Sequence, residues 1–486
     1  MRLDLRARFR IAMMIGAVAV SFLGVAAAGL SLPTGEPFSV EPAVLVPIED
    51  ISAVWIVGIR GQLSISTRET RELQVISLAP GAEGAELPVG IWRDGGRLIV
   101  APAPGDPSGP RVLGVEVPKG FSIAVDAVDS DVVILSEGGT IDLRGDHVRA
   151  TIQSPGASVV ADVLAGTLNV SDSKDANVRV RATATTISRM SGSVTVRATG
   201  GAVTVADGTG STDVESVDTK LSFDGLSGPL DVDAQKGEAK VSGIKGGAEL
   251  RLAGTPLELK EGKGNVVVAS DTTVLFEAMA ASMHFDMDGG SLHGRGNEGI
   301  LELRGRNTEL NVETITGGMR VQGNGLSVKI VEVGGELQLE AASSNIVVDR
   351  AGSVVLRLDG GSVMLQRATG AVQANVTGGD ARILDASGPV NLELDRGDGE
   401  VSFTSFTGDK DSSLAANGNL TVRFPPAGGC RVEAKSKDGR IDSDLPTVRV
   451  LEGSNEAQGP VNSGYRPIIK ITASGDIHLL GPAQAP

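Results

Sequence analysis

A pair of apolar residues separated by one residue returns about every nine positions along most of this 486-residue chain. Examples are Val132/Ile134, Val203/Val205 and Leu337/Leu339. Between residues 132 and 390 the spacing fits 29 steps of nine with three single-residue slips. Alternation with a period of two is typical of a β-strand, because a helix would place apolar residues three or four positions apart. Each unit is therefore predicted to be one short strand followed by a turn.

Glycines indicate that two such units make one repeat. One series of them returns at every second unit: Gly192, Gly210, Gly228, Gly246 and Gly264. An 18-residue coil with two strands predicts an all-β fold, a parallel β-solenoid (β-helix) whose two sheets face each other across a thin core. The paired apolar residues would point inward, and the residue between them would point to solvent. An antiparallel sandwich also explains the alternation, but not so even a spacing over so many units.

Changes in pattern divide the chain into five predicted segments. These are 1–32, a signal peptide or N-terminal membrane anchor; 33–50, a linker; 51–130, an irregular β region with a Pro/Gly-rich loop; 131–410, the regular β-solenoid; and 411–486, C-terminal strands and a cap. Solenoid ends expose strand edges, so we expect the irregular segments to cover them.

The N-terminus predicts export. Arg2, Arg6, Arg8 and Arg10 precede a mostly apolar stretch over residues 11–32. Basic residues before an apolar run keep the N-terminus in the cytoplasm and direct the rest of the chain out of it. The small residues 26–28 match a signal-peptidase site, whereas a run of about 20 apolar residues is also long enough to remain as an anchor. We therefore expect a cell-envelope location, periplasmic, extracellular or anchored by this segment, and we leave cleavage open.

Composition removes several classes of function. Asp and Glu number 60 against 44 Lys and Arg, a net charge of −16, which argues against nucleic-acid binding. Cys430 is the sole cysteine, so an intramolecular disulfide and a multi-cysteine metal site are excluded. No cofactor is expected, apart from the metal ion considered next.

An acidic column is the candidate metal site. Its members are Asp213, Glu215, Asp231, Asp233 and Glu249. The predicted coils place them on the outer face of three neighbouring strands, where like charges about 5 Å apart repel one another. One interpretation is screening by water, salt and the nearby Lys220 and Lys236. The other is a bridging divalent cation, with Ca²⁺ as the candidate, because a hard ion prefers carboxylate oxygens.

Two other patterns are interpreted as structural. Gly294-x-Gly296-x-x-Gly299 matches a dinucleotide-binding fingerprint, but a strand follows it instead of a helix, so we predict a turn. His284 and His293 are nine positions apart, which places them on opposite sheets and argues against a shared metal ion.

Two surface features remain as possible contact sites. The Arg-Gly-Asp tripeptides at 144–146 and 396–398 are expected in turns, where Gly-rich sequence produces such strings by chance. Four apolar residues break the polar pattern of the outward positions: Leu275, Val347, Val355 and Met364. Val347 and Met364 are predicted to lie one coil apart on one sheet, where they could mark a partner surface.

Short phrases near the ends of the repeat region resemble a known family. They are VEVPKG at 115–120, LTVRFP at 420–425, KDGRI at 437–441 and SGDIHL at 474–479. Together with strand repeats of this length, they resemble the bacterial putative-adhesin family of β-strand-repeat domains of unknown function. The resemblance implies a β-helical protein that is exported or tethered to the membrane. It supplies no catalytic residues.

The combined expectation is a non-enzymatic, exported β-solenoid that serves as an adhesin or scaffold with an extended binding surface. Its partners would be an envelope polysaccharide or a surface protein, and it would touch the membrane only through an uncleaved N-terminal segment. A carbohydrate-active β-helix enzyme, a polysaccharide lyase or hydrolase, is the alternative, although the repeat lacks the Trp and Tyr that stack on sugars. A membrane-anchored envelope-stress sensor or a filament-forming protein is a further alternative.

Overall fold

The structure is a computed structural model that describes residues 43–77, 89–103, 111–451 and 454–482. Regular secondary structure in these ranges consists of 35 β-strands and no helix. Accordingly, none of the described residues forms a helix that could cross a membrane. Residues 1–32, the predicted signal peptide or anchor, lie outside the described ranges.

The strands fall into an N-terminal part, a long central part and a C-terminal part. The N-terminal strands are β1 Ala43–Pro47, β2 Ala53–Arg68, β3 Glu72–Ser77, β4 Val89–Asp94, β5 Arg97–Pro102, β6 Arg111–Pro118 and β7 Ser122–Leu135. The central strands are β8 Thr140–Gln153, β9 Ser158–Ser171, β10 Asp175–Ser188, β11 Val194–Ala206, β12 Thr212–Asp224, β13 Leu230–Ser242, β14 Ala248–Ala253, β15 Leu257–Lys260, β16 Lys263–Ser270, β17 Thr273–Asp288, β18 Ser291–Asn297, β19 Leu301–Arg306, β20 Glu309–Ile315, β21 Met319–Asn324, β22 Ser327–Ile330, β23 Leu337–Ala351, β24 Val354–Ala368, β25 Val372–Ala386, β26 Val390–Asp395, β27 Gly399–Phe403, β28 Ser412–Ala416 and β29 Leu420–Arg423. The C-terminal strands are β30 Cys430–Ser436, β31 Ile441–Ser443, β32 Arg449–Val450, β33 Glu456–Val461, β34 Ile468–Ala473 and β35 Ile477–Leu480.

Neighbouring coils pair in parallel, which confirms the predicted β-solenoid; it has about 17 turns. Many strands are long enough to cover both sides of a coil. In β12 the left-handed residue Asp218, with φ 55°, separates two straight halves that pair separately with β13. We call face A the outer surface that carries Asp213 and Asp231, and face B the outer surface that carries Ser222 and Lys240.

The three predicted slips are confirmed as coils that are one residue shorter than the regular repeat. They are the registers Val159↔Ala176, Val266↔Met283 and Leu337↔Val354. The alternation is weak in the sequence around residues 182–187, yet β10 is a regular coil there. Thr183 and Thr185 are buried at its inward positions, so hydroxyl side chains hide the apolar pattern.

The main core is an aliphatic column that runs along the described solenoid. It is a single cluster of buried residues between Val46 and Leu479, with Phe223 and Phe285 among the largest fully buried side chains. A small separate cluster at the N-terminal end consists of Trp92, Ile99 and Ala101. Burial of each Val or Leu contributes about 1.5–3 kcal/mol. The core therefore stabilises the stack with few aromatic residues.

The N-terminal end carries an insertion. β2 pairs in parallel with β7 through Val54↔Ile123, although β3 to β6 lie between them in the chain. β5 and β6 pair with the opposite edge of β2. Antiparallel strands pair with the free edges of β5 and β6: β4 pairs with β5, and β3 pairs with β6. β1 in turn pairs with β3.

The C-terminal end has a non-sequential order. β34 lies between β28 and β30, as the registers Leu414↔Ile471 and Ala434↔Ile471 show. β35 likewise lies between β29 and β31. The last strands of the chain therefore occupy an interior coil, and the earlier strands β30 to β33 form the outer end.

Candidate binding faces of the solenoid

The structure brings the five predicted carboxylates together on face A. Asp213, Asp231 and Glu249 are direct neighbours in three successive strands, and Glu215 is the neighbour of Asp233. Regular stacking produces this arrangement, because one full coil returns the chain to the same outward position one strand away.

Arginines, not lysines, neutralise part of this acidic column. Arg251 donates from Nη1 to Asp231 Oδ1 at 3.0 Å and also pairs with Glu249. Arg197 donates from Nε to Glu215 Oε2 at 3.1 Å. The expected screening by Lys220 is wrong in its geometry, because Lys220 lies in the second half of β12 opposite Glu238, on face B.

Burial, together with neighbouring carboxylates, raises the pKa of Asp213 and of Asp233. Burial raises the pKa of Asp213, and the charges of Asp231 and Glu215 raise it further. Burial also raises the pKa of Asp233; Arg251 opposes this shift, while Glu215 and Asp231 add to it. At neutral pH these two carboxylates therefore hold their charge at a cost in stability.

The described part of the chain contains neither a grouped set of metal ligands nor a reactive thiol. No group of three or more His, Cys, Asp or Glu side chains there is arranged to hold a metal ion. Cys430 is buried in β30, and burial raises the pKa of its thiol to about 12. A thiol with this pKa stays protonated and packs as a small apolar group.

The two histidines lie on different faces. His284 is on face A between Val267 and Glu302, with its Nδ1 3.3 Å from Glu302 Oε2. His293 is on face B between Leu275 and Asn311. They do not share a site.

The first glycine of the apparent nucleotide fingerprint serves the core. Gly294 lies in β18, where an added Cβ would overlap the ring of Phe276. Strand β19 follows the motif. The missing side chain therefore makes room for an aromatic ring, and there is no helix N-terminus to bind a phosphate.

The two Arg-Gly-Asp tripeptides differ in structure. Residues 396–398 form the turn between β26 and β27, as expected. Residues 144–146 lie inside β8, so the expectation of a turn is wrong there. The reason is that β8 continues through its corner, at the left-handed His147, without leaving the sheet.

The exposed apolar residues do not form one patch. Leu275, Val347 and Val355 are 45%, 41% and 41% exposed. Val347 and Met364 are neighbours on face B, whereas Val355 lies on face A.

Val355 lies in a group of polar side chains that sequence reasoning missed. We call this group the amide patch; its members are Arg320, Gln322, Gln338, Glu340, Val355, Arg357, Gln373 and Asn375. They form two columns of four outward residues in four neighbouring strands. The short Val355 between Gln338 and Gln373 leaves a shallow depression of about 210 Å³. Glutamine and asparagine at outward positions of successive coils were the available signal.

A second depression, of about 320 Å³, lies on face B around Leu275 and His293. Its cationic side chains, Lys260 and Arg295, are already paired with carboxylates. Arg295 donates from Nε to Glu277 Oε1 at 3.0 Å, and Lys260 Nζ lies 2.6 Å from Glu258 Oε1.

Both tryptophans of the chain are at the N-terminal end, and neither offers an open ring face. Trp92 is buried. The Arg97 guanidinium lies 5.1 Å from the ring centre of Trp55, and Trp55 donates from Nε1 to Asp126 Oδ2 at 3.1 Å.

Known proteins offer little that resembles this chain. No family model and no curated protein matches it. Among solved structures, it is similar to a putative cell adhesion protein from Clostridium sporogenes, with 10% sequence identity and a TM-score of 0.13, over 92% of this chain and 100% of that chain. A likeness at that TM-score carries no argument, so the fold assignment depends on the strand register.

Proposed function

We propose that this chain is an exported, non-enzymatic protein of the cell envelope that acts as an adhesin or scaffold. The observation that carries the proposal is the register of the outward side chains, which repeats from strand to strand on both faces of the solenoid. At about 4.8 Å per coil, some 17 turns make a rod of roughly 80 Å. Such a rod suits the binding of an extended partner better than the enclosure of a small substrate.

Two further points support the same proposal. The phrase VEVPKG at 115–120, which resembles the putative-adhesin family, begins in β6 at the N-terminal end, and LTVRFP at 420–425 begins in β29 near the other end. The arginine-rich start followed by apolar residues 11–32 fits export. The partner would be an envelope polysaccharide or a surface protein.

Fractionation of cells that express the full chain tests the location. We expect the protein in the envelope fraction. Retention after a carbonate wash would show that the N-terminal segment stays as an anchor, and mass spectrometry of the mature N-terminus would show cleavage. Cytoplasmic protein with an intact N-terminus would contradict the proposal.

Binding and turnover assays test the activity. We expect the purified protein to bind envelope fragments and to leave their polysaccharides intact. Release of sugar products that grows with time would favour the carbohydrate-active enzyme instead.

A further inference from the structure

We propose that the amide patch on face A binds a neutral polysaccharide whose chain runs along the solenoid axis. This inference rests on the proposed function and names the ligand class. Within the patch, Arg320 and Arg357 are positive and Glu340 is negative, so the patch is close to neutral in a chain of net charge −16.

The two arginines have free donor groups. Among the residues that the structure describes, neither Arg320 nor Arg357 forms a salt bridge or a side-chain hydrogen bond. Elsewhere along the rod, arginines commonly pair with a carboxylate one coil away, as Arg149 does with Asp131 and Arg367 with Asp349. An exposed guanidinium presents five donors in one plane, which can bind two neighbouring hydroxyl oxygens.

The amides provide donors and acceptors on the same surface. Gln322 donates from Nε2 to Glu340 Oε2 at 3.0 Å, and Asn375 donates from Nδ2 to Glu393 Oε2 at 3.3 Å. These contacts orient the side chains and leave the amide oxygens free to accept. A sugar hydroxyl both donates and accepts a hydrogen bond, so a mixture of amides, guanidinium groups and a carboxylate matches it.

The spacing and the floor of the depression fit a chain of sugars. Each column extends over three strand spacings of about 4.8 Å, or roughly 14 Å. The units of an extended polysaccharide advance by a length close to one strand spacing, so consecutive units would meet successive rows of the patch. Val355, 41% exposed at the floor, offers an apolar surface to the C–H face of one sugar ring.

An acidic polysaccharide fits less well. Glu340 lies inside the patch, and Glu336 and Glu393 are bonded to its members Gln338 and Asn375. A polyanion would meet these carboxylates while gaining only two arginines, and like charges held close together repel.

Affinity electrophoresis of the full chain tests the inference. Gels would contain neutral glucans, mannans or xylans, with polygalacturonate and alginate as acidic probes. We expect at least one neutral polysaccharide to retard the protein. The double variant Arg357→Ala/Gln373→Ala should bind it at least tenfold more weakly, while the face-B control Asn311→Ala should bind like the wild type.

Three results would overturn the inference: no retardation by any neutral polysaccharide, retardation by the acidic probes alone, or equal retardation of the double variant and the wild type. Circular dichroism of the variants checks that the exposed substitutions leave the fold intact. If the double variant still binds envelope fragments like the wild type, the patch assignment fails while the proposed function stands. If the wild type binds no fragments, the proposed function itself fails.

Discussion

At the scale of single residues, two adjacent glycines in β11 allow two requirements for glycine to be compared, a left-handed backbone and a close approach of the neighbouring coil. Gly200 and Gly201 both have positive φ, 69° and 79°. A Cβ on Gly200 would lie 3.8 Å from the Cα of Ala182, an ordinary contact. A Cβ on Gly201 would lie 2.7 Å from the backbone nitrogen of Thr183 and closer still to its carbonyl oxygen.

We therefore expect the two alanine variants to differ. Gly200→Ala should lower the free energy of unfolding by about 1 kcal/mol, the cost of a left-handed alanine. Gly201→Ala should lower it by about 3 kcal/mol, because the neighbouring coil must also move. Urea denaturation of both variants measures the difference. Equal losses would contradict the close stacking of coils at this corner.

The charges of face A predict a stability that depends on pH. The pKa values of Asp213 and Asp233 are raised in the folded state, so folding favours their protonated forms. Their contribution to the free energy of folding is favourable at pH values below the ordinary pKa of a carboxyl group. It is lost as the pH rises through the raised pKa values of the folded state. The free energy of unfolding of the double variant Asp213→Asn/Asp233→Asn should thus exceed that of the wild type by about 0.5 kcal/mol at pH 7. Near pH 3 the two should be almost equal.

Thermal melting at the two pH values and at two salt concentrations measures this effect. High salt should reduce the gain, because it screens exposed charges. Asp162→Asn is the matched control: Asp162 lies between Arg144 and Arg179, so its substitution should lower the melting temperature at pH 7. A loss of stability in the double variant at pH 7 would contradict the prediction that the charges of Asp213 and Asp233 destabilise the folded state.

The same variants distinguish the two interpretations of the acidic column. Since Arg251 lies between Asp231 and Glu249, we expect calcium chloride to raise the melting temperature no more than magnesium chloride at equal ionic strength. A calcium-specific increase that the double variant lacks would support the bridging cation.

At the scale of elements, the C-terminal strands act as an internal coil. β34 and β35 join β28 and β29 to the outer strands β30 and β31. Deletion of residues 467–486 should leave the outer strands without their parallel partners. Coils far from this end should be unaffected, because each coil contacts only its neighbours.

Hydrogen exchange with mass spectrometry tests this prediction. Residues 430–461 should lose protection in the deletion variant, while residues 194–242 should keep it. Deletion of residues 481–486, which follow β35, is the control and should change little. Persistent protection of residues 430–461 would show that the outer end folds without the inserted coil.

At the scale of the whole molecule, the unit of the rod is one full coil and not one strand. Gly246 stacks on Gly228 in the intact chain. Deletion of residues 230–247 removes a full coil and brings Gly264 to the place of Gly246, so the glycine column is preserved. Deletion of residues 230–238 removes half a coil and would place Thr255 on Gly228. A Cβ at Gly246 would already lie 2.6 Å from the carbonyl oxygen of Ser227, so a threonine does not fit there.

The full-coil deletion should therefore melt within a few degrees of the wild type, and the half-coil deletion should melt well below it. Small-angle scattering should show a rod shortened by about 4.8 Å for the former. Similar melting of the two variants would mean that the two corners of a coil are interchangeable.

The sequence by itself determined the coil. Apolar pairs such as Val203/Val205 define which side chains point inward, and the glycines at every second unit define the repeat, because both depend on local alternation and turn geometry. It also placed Asp213 beside Asp231. Only the tertiary structure decided that β34 lies between β28 and β30, that Arg251 pairs with Asp231, and that Val355 lies in a depression. These features depend on which coils stack and on how long side chains extend across strands, and neither is encoded by a local period.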